Sequence, residues 1–540
     1  MTRTYDAVVV GSGATGGWAA KELSSAGLCV LVLEAGPLVP PPSRHLIPRP
    51  ASKRHHIQVR CWMQKQFPGL FIDDLDNPYT TPENRPFTWI RNRVVGGRTT
   101  TWSRGCLRFS DFELKARSSQ GIGEDWPIAY ADLEPYYDRV EAFIGLAGDR
   151  DGRAEVPDSR VIAPGALGAA ERRLKAEIEA RWPDRTLIAK REASAVAPPG
   201  APRCAGCAHH PILSRWPHWS SLGSTLHAAM STGRVTLRDN TIVSHITVSP
   251  KTGRATGLVY LDRTTRAIEE VSAGVVFVCA STIESTRILL NSVSPQHPNG
   301  LGNSSGLLGK NLMDHLLGVR ILAVRRKTPA PRGEPLAPGF VIPRFQNLGR
   351  RDAAFTGGYG LFGQLLKHPL LSLRHGAWDA EFLWLATFGE MVPRATNTVT
   401  LHPTQKDAWG LPVPHIQCVY SDNERAMAAH ALEALREIAA ASGFRILEEK
   451  SEPPPPGSAI HEVGTARMGS DPRTSVQNPF AQCWDAPNVL VPDGSAFVTS
   501  PYQNPTLTMM AITVRACDRV ISGLPAESGD GPIERNVPVC

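Results

Sequence analysis

Residues 5–36 read YDAVVVGSGATGGWAAKELSSAGLCVLVLEAG, and this stretch decides the fold. Tyr5 to Val10 is a short apolar, β-branched run closed by glycine, which predicts a buried strand. Trp18 to Ala26 carries helical spacing, and Gly27 stops it. Cys29 to Leu33 predicts a second buried strand, with Glu34 at its end. The whole is the opening βαβ unit of a doubly wound sheet. Gly11, Gly13 and Gly16 form a G-x-G-x-x-G turn between the first strand and the helix. Such glycines let the backbone approach a pyrophosphate at a helix N-terminus, where free N–H groups and the dipole favour negative charge. Ala14 and Thr15 belong to the same turn. Glu34 suits the diol of a ribose and disfavours a 2′-phosphate.

The chain has 540 residues, 42% hydrophobic and 20% charged, with a formal charge of +7. That length predicts more than one lobe, and the composition excludes a wholly disordered chain. The charge surplus is thinly spread, with no basic stripe interleaved with aromatics, so nucleic acid is not expected as a partner. No run approaches the roughly 18 apolar residues of a membrane span. Met1 to Val10 offers no apolar leader, which predicts a cytoplasmic protein and leaves open export on a partner. Ten scattered cysteines argue against a disulfide framework.

Further along, helices are expected over 131–144, 166–182, 221–230 and 423–441. Strands are expected over 235–237, 242–248, 257–261 and 275–278, with Ser281 capping a helix to Asn291. Residues 316–420 alternate and suit an antiparallel sheet. Pro505 opens a last helix.

Several motifs resemble the glucose–methanol–choline family of flavoprotein oxidoreductases. They are Glu34-Ala35-Gly36, residues 309–315 (GKNLMDH), 461–469 (HEVGTARMG), 491–495 (VPDGS) and 504–506 (NPT). Residues 85–91 (RPFTWIR), 96–98 (GGR) and 124–127 (EDWP) are similar to the branch containing glucoside 3-dehydrogenases, C-glycoside 3-oxidases and pyranose oxidases. The resemblance implies an α/β plus α+β chain: a Rossmann-like FAD-binding domain and a substrate domain on an antiparallel sheet. It divides the sequence into a discontinuous FAD-binding part (1–36, 90–130, 204–315 and 456–525), a substrate-binding part with connecting segments (37–89, 131–203 and 316–455) and a tail (526–540).

The implied chemistry is oxidation of an alcohol. A base takes the hydroxyl proton while the carbinol hydrogen leaves as hydride for flavin N5, and histidine suits the first task. The resemblance makes His461 the base and Asn504 its partner on the substrate oxygen. It places Gly96, Gly97 and Thr100 beside the isoalloxazine and Val243 and Ala280 among the cofactor contacts. Asp493 and Gly494 fall at the phosphate or ribitol, and Pro505 and Thr506 at the flavin pyrimidine edge. Some relatives attach FAD through a histidine in the loop that here reads RTTTW (98–102), so the FAD is expected to be non-covalent.

Cys204 and Cys207, with His209, His210 and His218 nearby, resemble half a zinc motif. Without a second pair they are read as a tight turn with reduced thiols, and no metal is assigned. Trp378, Trp384, Phe388, Trp409, Glu381 and Glu390 are candidate sugar contacts. The expected reaction converts a ring secondary alcohol of a sugar or glycoside, such as that at C3, to a ketone. Electrons pass to O2, a quinone or a carrier protein, and a small partner subunit is allowed for. The alternatives are a non-sugar alcohol or natural-product intermediate as substrate, a flavin-binding protein without turnover, and a nicotinamide dehydrogenase.

Overall fold

In the computed structural model the opening unit forms as its sequence dictates. Strand β1 is Thr4–Val10, helix α1 is Ala14–Ser25 and strand β2 is Val30–Leu33. The structure describes residues 4–39, 64, 68–165, 167–193, 219–326, 339–349, 351, 353–366, 369–377 and 380–523. Ala7, Val8 and Val9 are fully buried, the mark of a parallel strand covered on both faces. β1 pairs in parallel with β2 and with Ile268–Val278, and β2 pairs in parallel with Val235–Arg238. Two antiparallel strands, Ala255–Asp262 and Thr241–Val248, extend the far edge, and Val489–Leu490 adds in parallel to Ile268–Val278. The result is a seven-stranded sheet.

Gly11 has φ +93°, and a Cβ there would strike the Cys279 carbonyl. A Cβ on Gly16 would strike the Gly11 carbonyl. Both glycines are therefore required for the turn to close against the sheet.

A second sheet has six strands, all antiparallel, ordered Arg445–Lys450, Leu316–Arg326, Ala380–Gly389, Tyr359–Leu366, Phe340–Ile342 and Ile188–Ala189. The helix Asp422–Ala441 packs on its two longest strands with Met427, Ala431, Leu435 and Ile438 buried at helical spacing. The helix Thr506–Ser522 packs against α1 and against Tyr130–Ile144. The largest cluster of buried apolar side chains runs from Val9 and Val32 to Leu383 and Ile438, so one continuous core joins the two sheets.

Three expectations need correction. The strand expected over 275–278 begins at Ile268, because its outer half is a hairpin in which Ile268, Glu270, Ser272 and Gly274 alternate toward solvent. Residues 316–420 do not form one sheet: Thr398–Lys406 and Pro412–Gln417 join Lys310–Met313 and Val463–Thr465 instead. Ser281 precedes the helix Thr282–Asn291 but makes no side-chain cap, since its φ of +78° turns it away. Cys106, Cys279, Cys418, Cys483 and Cys517 are free and buried, and Cys29 is disulfide-bonded. Cys204, Cys207, His209, His210, His218, Trp378 and the tail 526–540 lie outside the described residues.

Candidate active site

The loops at the C-terminal ends of β1, β2 and Ile268–Val278 surround a cavity of about 200 Å³. Crevices of this kind lie at the carboxyl ends of parallel strands. Gly11, Gly13, Ala14 and Thr15 form its floor, with Glu34 and Ala35 beside them. Val243 and Ala280 line the same end, and Gly97, Asp493, Gly494, Pro505 and Thr506 line the rest. His461 stands on the wall. Gly16, Gly96, Thr100 and Asn504 are not among the residues that line the cavity. Gly16 packs the turn, the Gly96 N–H donates to Ser12 Oγ (2.9 Å), and Thr100 Oγ1 donates to the Gly97 carbonyl (2.8 Å).

The residues lining the cavity suit a dinucleotide. A Cβ on Gly13 would meet nothing within 4 Å, so the backbone lies open to the cavity there. α1 has no side-chain cap and no acidic residue in its first turn, which leaves its terminal N–H groups free for a pyrophosphate. The buried carboxylate of Glu34 accepts from the Ser12 hydroxyl and from the Ser12 and Gly36 backbones. Burial raises its pKa, against those hydrogen bonds and the nearby Arg93. Asp493 is braced in the same manner by Ser285 Oγ (2.5 Å) and by the Ser495 N–H and hydroxyl. Arg287 lines the cavity, and its Nη1 is buried without a protein partner.

His461 sits where three chain segments meet. Its backbone N–H donates to Asp314 Oδ1 (3.1 Å), and Asp314 Oδ2 accepts from Gly457 (2.6 Å) and Ala459 (3.2 Å). Burial, with the charge of Glu462 second, lifts Asp314 to a pKa of about 7. The ring Nδ1 lies 2.8 Å from His315 Nδ1, and Nε2 lies 3.4 Å from Asn504 Nδ2. Asn504 Oδ1 is buried with no protein partner. Burial pushes the His461 pKa well below its ordinary value, with repulsion from His315 and Arg98 adding to it. His315 is itself lowered to about 4 by burial, so its share of that repulsion acts only in acid. Ile460, just before His461, has φ +62°, a strained conformation for a β-branched residue.

Several lining residues were not among the expected site residues. Arg98 pairs with Glu462 and donates to the carbonyls of Ile460 (3.1 Å) and Ile90 (2.9 Å), tying the 97–100 turn to the histidine loop. Arg91, Arg93, Glu284 and Ser12 also face the cavity. His315 was within a recognised motif, yet nothing local marks it as the partner of a ring 146 residues away.

The expected sugar contacts largely disperse. Phe388 stays, its ring centroid 6.0 Å from that of His461. Trp409 stacks with Arg93 and Arg263, and its indole donates to the Arg263 carbonyl. Trp384 belongs to the six-stranded sheet, where it pairs with Leu322 and Gln364. Glu381 is paired with Arg325 and Glu390 with Arg344.

Two sequence profiles, both described as GMC oxidoreductase, match residues 5–317 and 393–513. The chain is 32% identical to 2-methyl-1,2-propanediol dehydrogenase of Mycolicibacterium austroafricanum, covering 95% of each. It is 26% identical to the fructose dehydrogenase large subunit of Gluconobacter japonicus, covering 97% of this chain and 99% of that one. Among solved structures, pyridoxine 4-oxidase from Mesorbium loti superposes with a TM-score of 0.61 at 20% identity, over 96% of this chain and 100% of the other. Among the described residues, no helix is long and apolar enough to cross a membrane.

Proposed function

Because this chain belongs to the GMC oxidoreductase family, whose members use FAD to oxidise CH–OH groups, we propose that His461 is its catalytic base and Asn504 the partner that holds the substrate oxygen. The supporting observation is the 3.4 Å approach of His461 Nε2 to Asn504 Nδ2, with His461 on the cavity wall. When bound, FAD supplies the two-electron acceptor for the hydride from the carbinol carbon. Gly11, Gly13, Ala14 and Thr15 offer backbone to its pyrophosphate, and Glu34 offers acceptors to the ribose. Val243, Ala280, Asp493, Gly494, Gly97, Pro505 and Thr506 hold the remainder, while Gly16, Gly96 and Thr100 support those loops. On this reading residues 1–36, 90–130, 204–315 and 456–525 make the cofactor part, and 37–89, 131–203 and 316–455 the substrate part.

The proton step follows from the site. Burial keeps His461 neutral at physiological pH, so it is ready to take the hydroxyl proton. The Asn504 amide N–H then donates to the oxygen as negative charge develops on it.

The substrate we propose first is a sugar or glycoside oxidised at a ring secondary alcohol such as C3. The second is a small aliphatic diol, favoured by the 32% identity to a propanediol dehydrogenase. Both present adjacent hydroxyls. The acceptor is O2, a quinone or a carrier protein.

The test is anaerobic mixing with glycosides, monosaccharides and aliphatic diols while following oxidised-flavin absorbance. Bleaching by glycosides supports the first substrate, and bleaching by diols alone moves the assignment to the second. Air and then a dye sort the acceptors. His461→Ala should slow bleaching about 10²- to 10⁴-fold. An unchanged rate removes His461 as the base.

A further inference from the structure

We infer that His315 is a positioning residue that fixes the proton of His461 on Nδ1 and so leaves the Nε2 lone pair facing Asn504; this rests on the reading of His461 as the base. The argument is one of donors and acceptors. His315 Nε2 lies 2.6 Å from the Pro501 carbonyl oxygen. A carbonyl only accepts, so this nitrogen carries a proton. His315 is buried, and burial lowers its pKa to about 4, so the ring is neutral at physiological pH. Its Nδ1 is then a bare lone pair, 2.8 Å from His461 Nδ1. Two lone pairs at that distance repel, so His461 Nδ1 must be the donor. A neutral imidazole has one ring proton, which leaves His461 Nε2 bare. That nitrogen faces the Asn504 amide.

The arrangement closes on itself. Pro501 and Asn504 belong to one short segment, so a single stretch of chain anchors His315 and presents the amide to His461. Asp314, next in sequence to His315, holds the His461 backbone N–H. Residues 314 and 315 thereby fix the base at its backbone and at its ring. When Nε2 takes the hydroxyl proton, the resulting imidazolium keeps its Nδ1–H bond to His315, now charge-assisted.

Two measurements test this on the flavin-loaded protein. In protein labelled with 15N-histidine, the His461 signals are those lost in His461→Gln. The expected spectrum has a proton on Nδ1 and a bare Nε2. A proton on Nε2 overturns the inference while leaving the base assignment to the His461→Ala kinetics. The second measurement is anaerobic flavin reduction. His315→Leu fills the space without an acceptor and should slow reduction at least about tenfold, with substrate dissociation unchanged. In His315→Gln the amide oxygen can accept from His461 and the amide nitrogen can donate to Pro501, so the rate should return to within about threefold of the parent. A Leu variant as fast as the parent overturns the inference, and so does a Gln variant as slow as Leu.

Discussion

Ser12 donates twice to one carboxylate oxygen of Glu34, from its backbone N–H at 3.1 Å and its hydroxyl at 2.6 Å. The glycine turn and the acidic end of β2 are therefore a single braced unit. Hydrogen bonds to a charged partner contribute about 1.5–3 kcal/mol. Glu34→Gln should raise the FAD dissociation constant about ten- to a hundredfold, read by titrating apoprotein with FAD. Unchanged affinity would remove Glu34 from the cofactor contacts.

Asn504 Oδ1 has no protein partner, while Nδ2 faces the proposed base. Asn504→Ala should lower the rate of flavin reduction about a hundredfold and change substrate dissociation little, since the amide acts on charge that develops during reaction. A loss confined to binding would make Asn504 a docking group instead.

Residues 98–102 contain no histidine, and no other histidine but His461 lines the cavity among the described residues. Acid precipitation should therefore leave the flavin in the supernatant. A yellow pellet would contradict non-covalent attachment.

Glu390 is buried, and burial lifts its pKa to about 7 although Arg344 lies 3.0 Å away. Glu113 adds a second carboxylate that raises it further. A carboxyl whose folded pKa exceeds its unfolded value of about 4.5 binds more protons when folded. Its cost to stability therefore grows as pH rises from about 4.5 to about 7 and is complete above that. Glu390→Gln should melt higher relative to the parent at about pH 8 than at about pH 5, by a few degrees. A difference independent of pH would mean that Glu390 is ionised throughout.

What the sequence revealed depended on how local each signal was. β1, the glycine turn, α1 and β2 were legible because strand, turn and helix each carry their own pattern within 36 residues. His461 and Asn504 stood out through short motifs that resemble the family's, and the structure sets their side chains 3.4 Å apart. The pairing of Arg98 with Glu462 was not legible, since it joins residues 364 apart and neither motif names the other as its partner. Likewise, Thr398–Lys406 alternates like the strands before it, and only packing against Lys310–Met313 sends it to another sheet. Of the aromatic residues in the central region offered as sugar contacts, Phe388 lies beside His461. Trp384 and Trp409 have the right chemistry, but one belongs to a strand of the six-stranded sheet and the other stacks on two arginines.

The cavity wall includes Gly11 near one end of the sequence and Thr506 near the other. A ribosome adding about 5–20 residues per second separates these two by roughly 25–100 s. During that interval the glycine turn exists without the loops that close over it. Until Pro505 and Thr506 are added, the growing chain lacks two of the residues that line the cavity opposite the glycine turn. A nascent chain stalled before His461 would keep the glycine turn and lack His461, Asp493, Gly494, Pro505 and Thr506 from the lining.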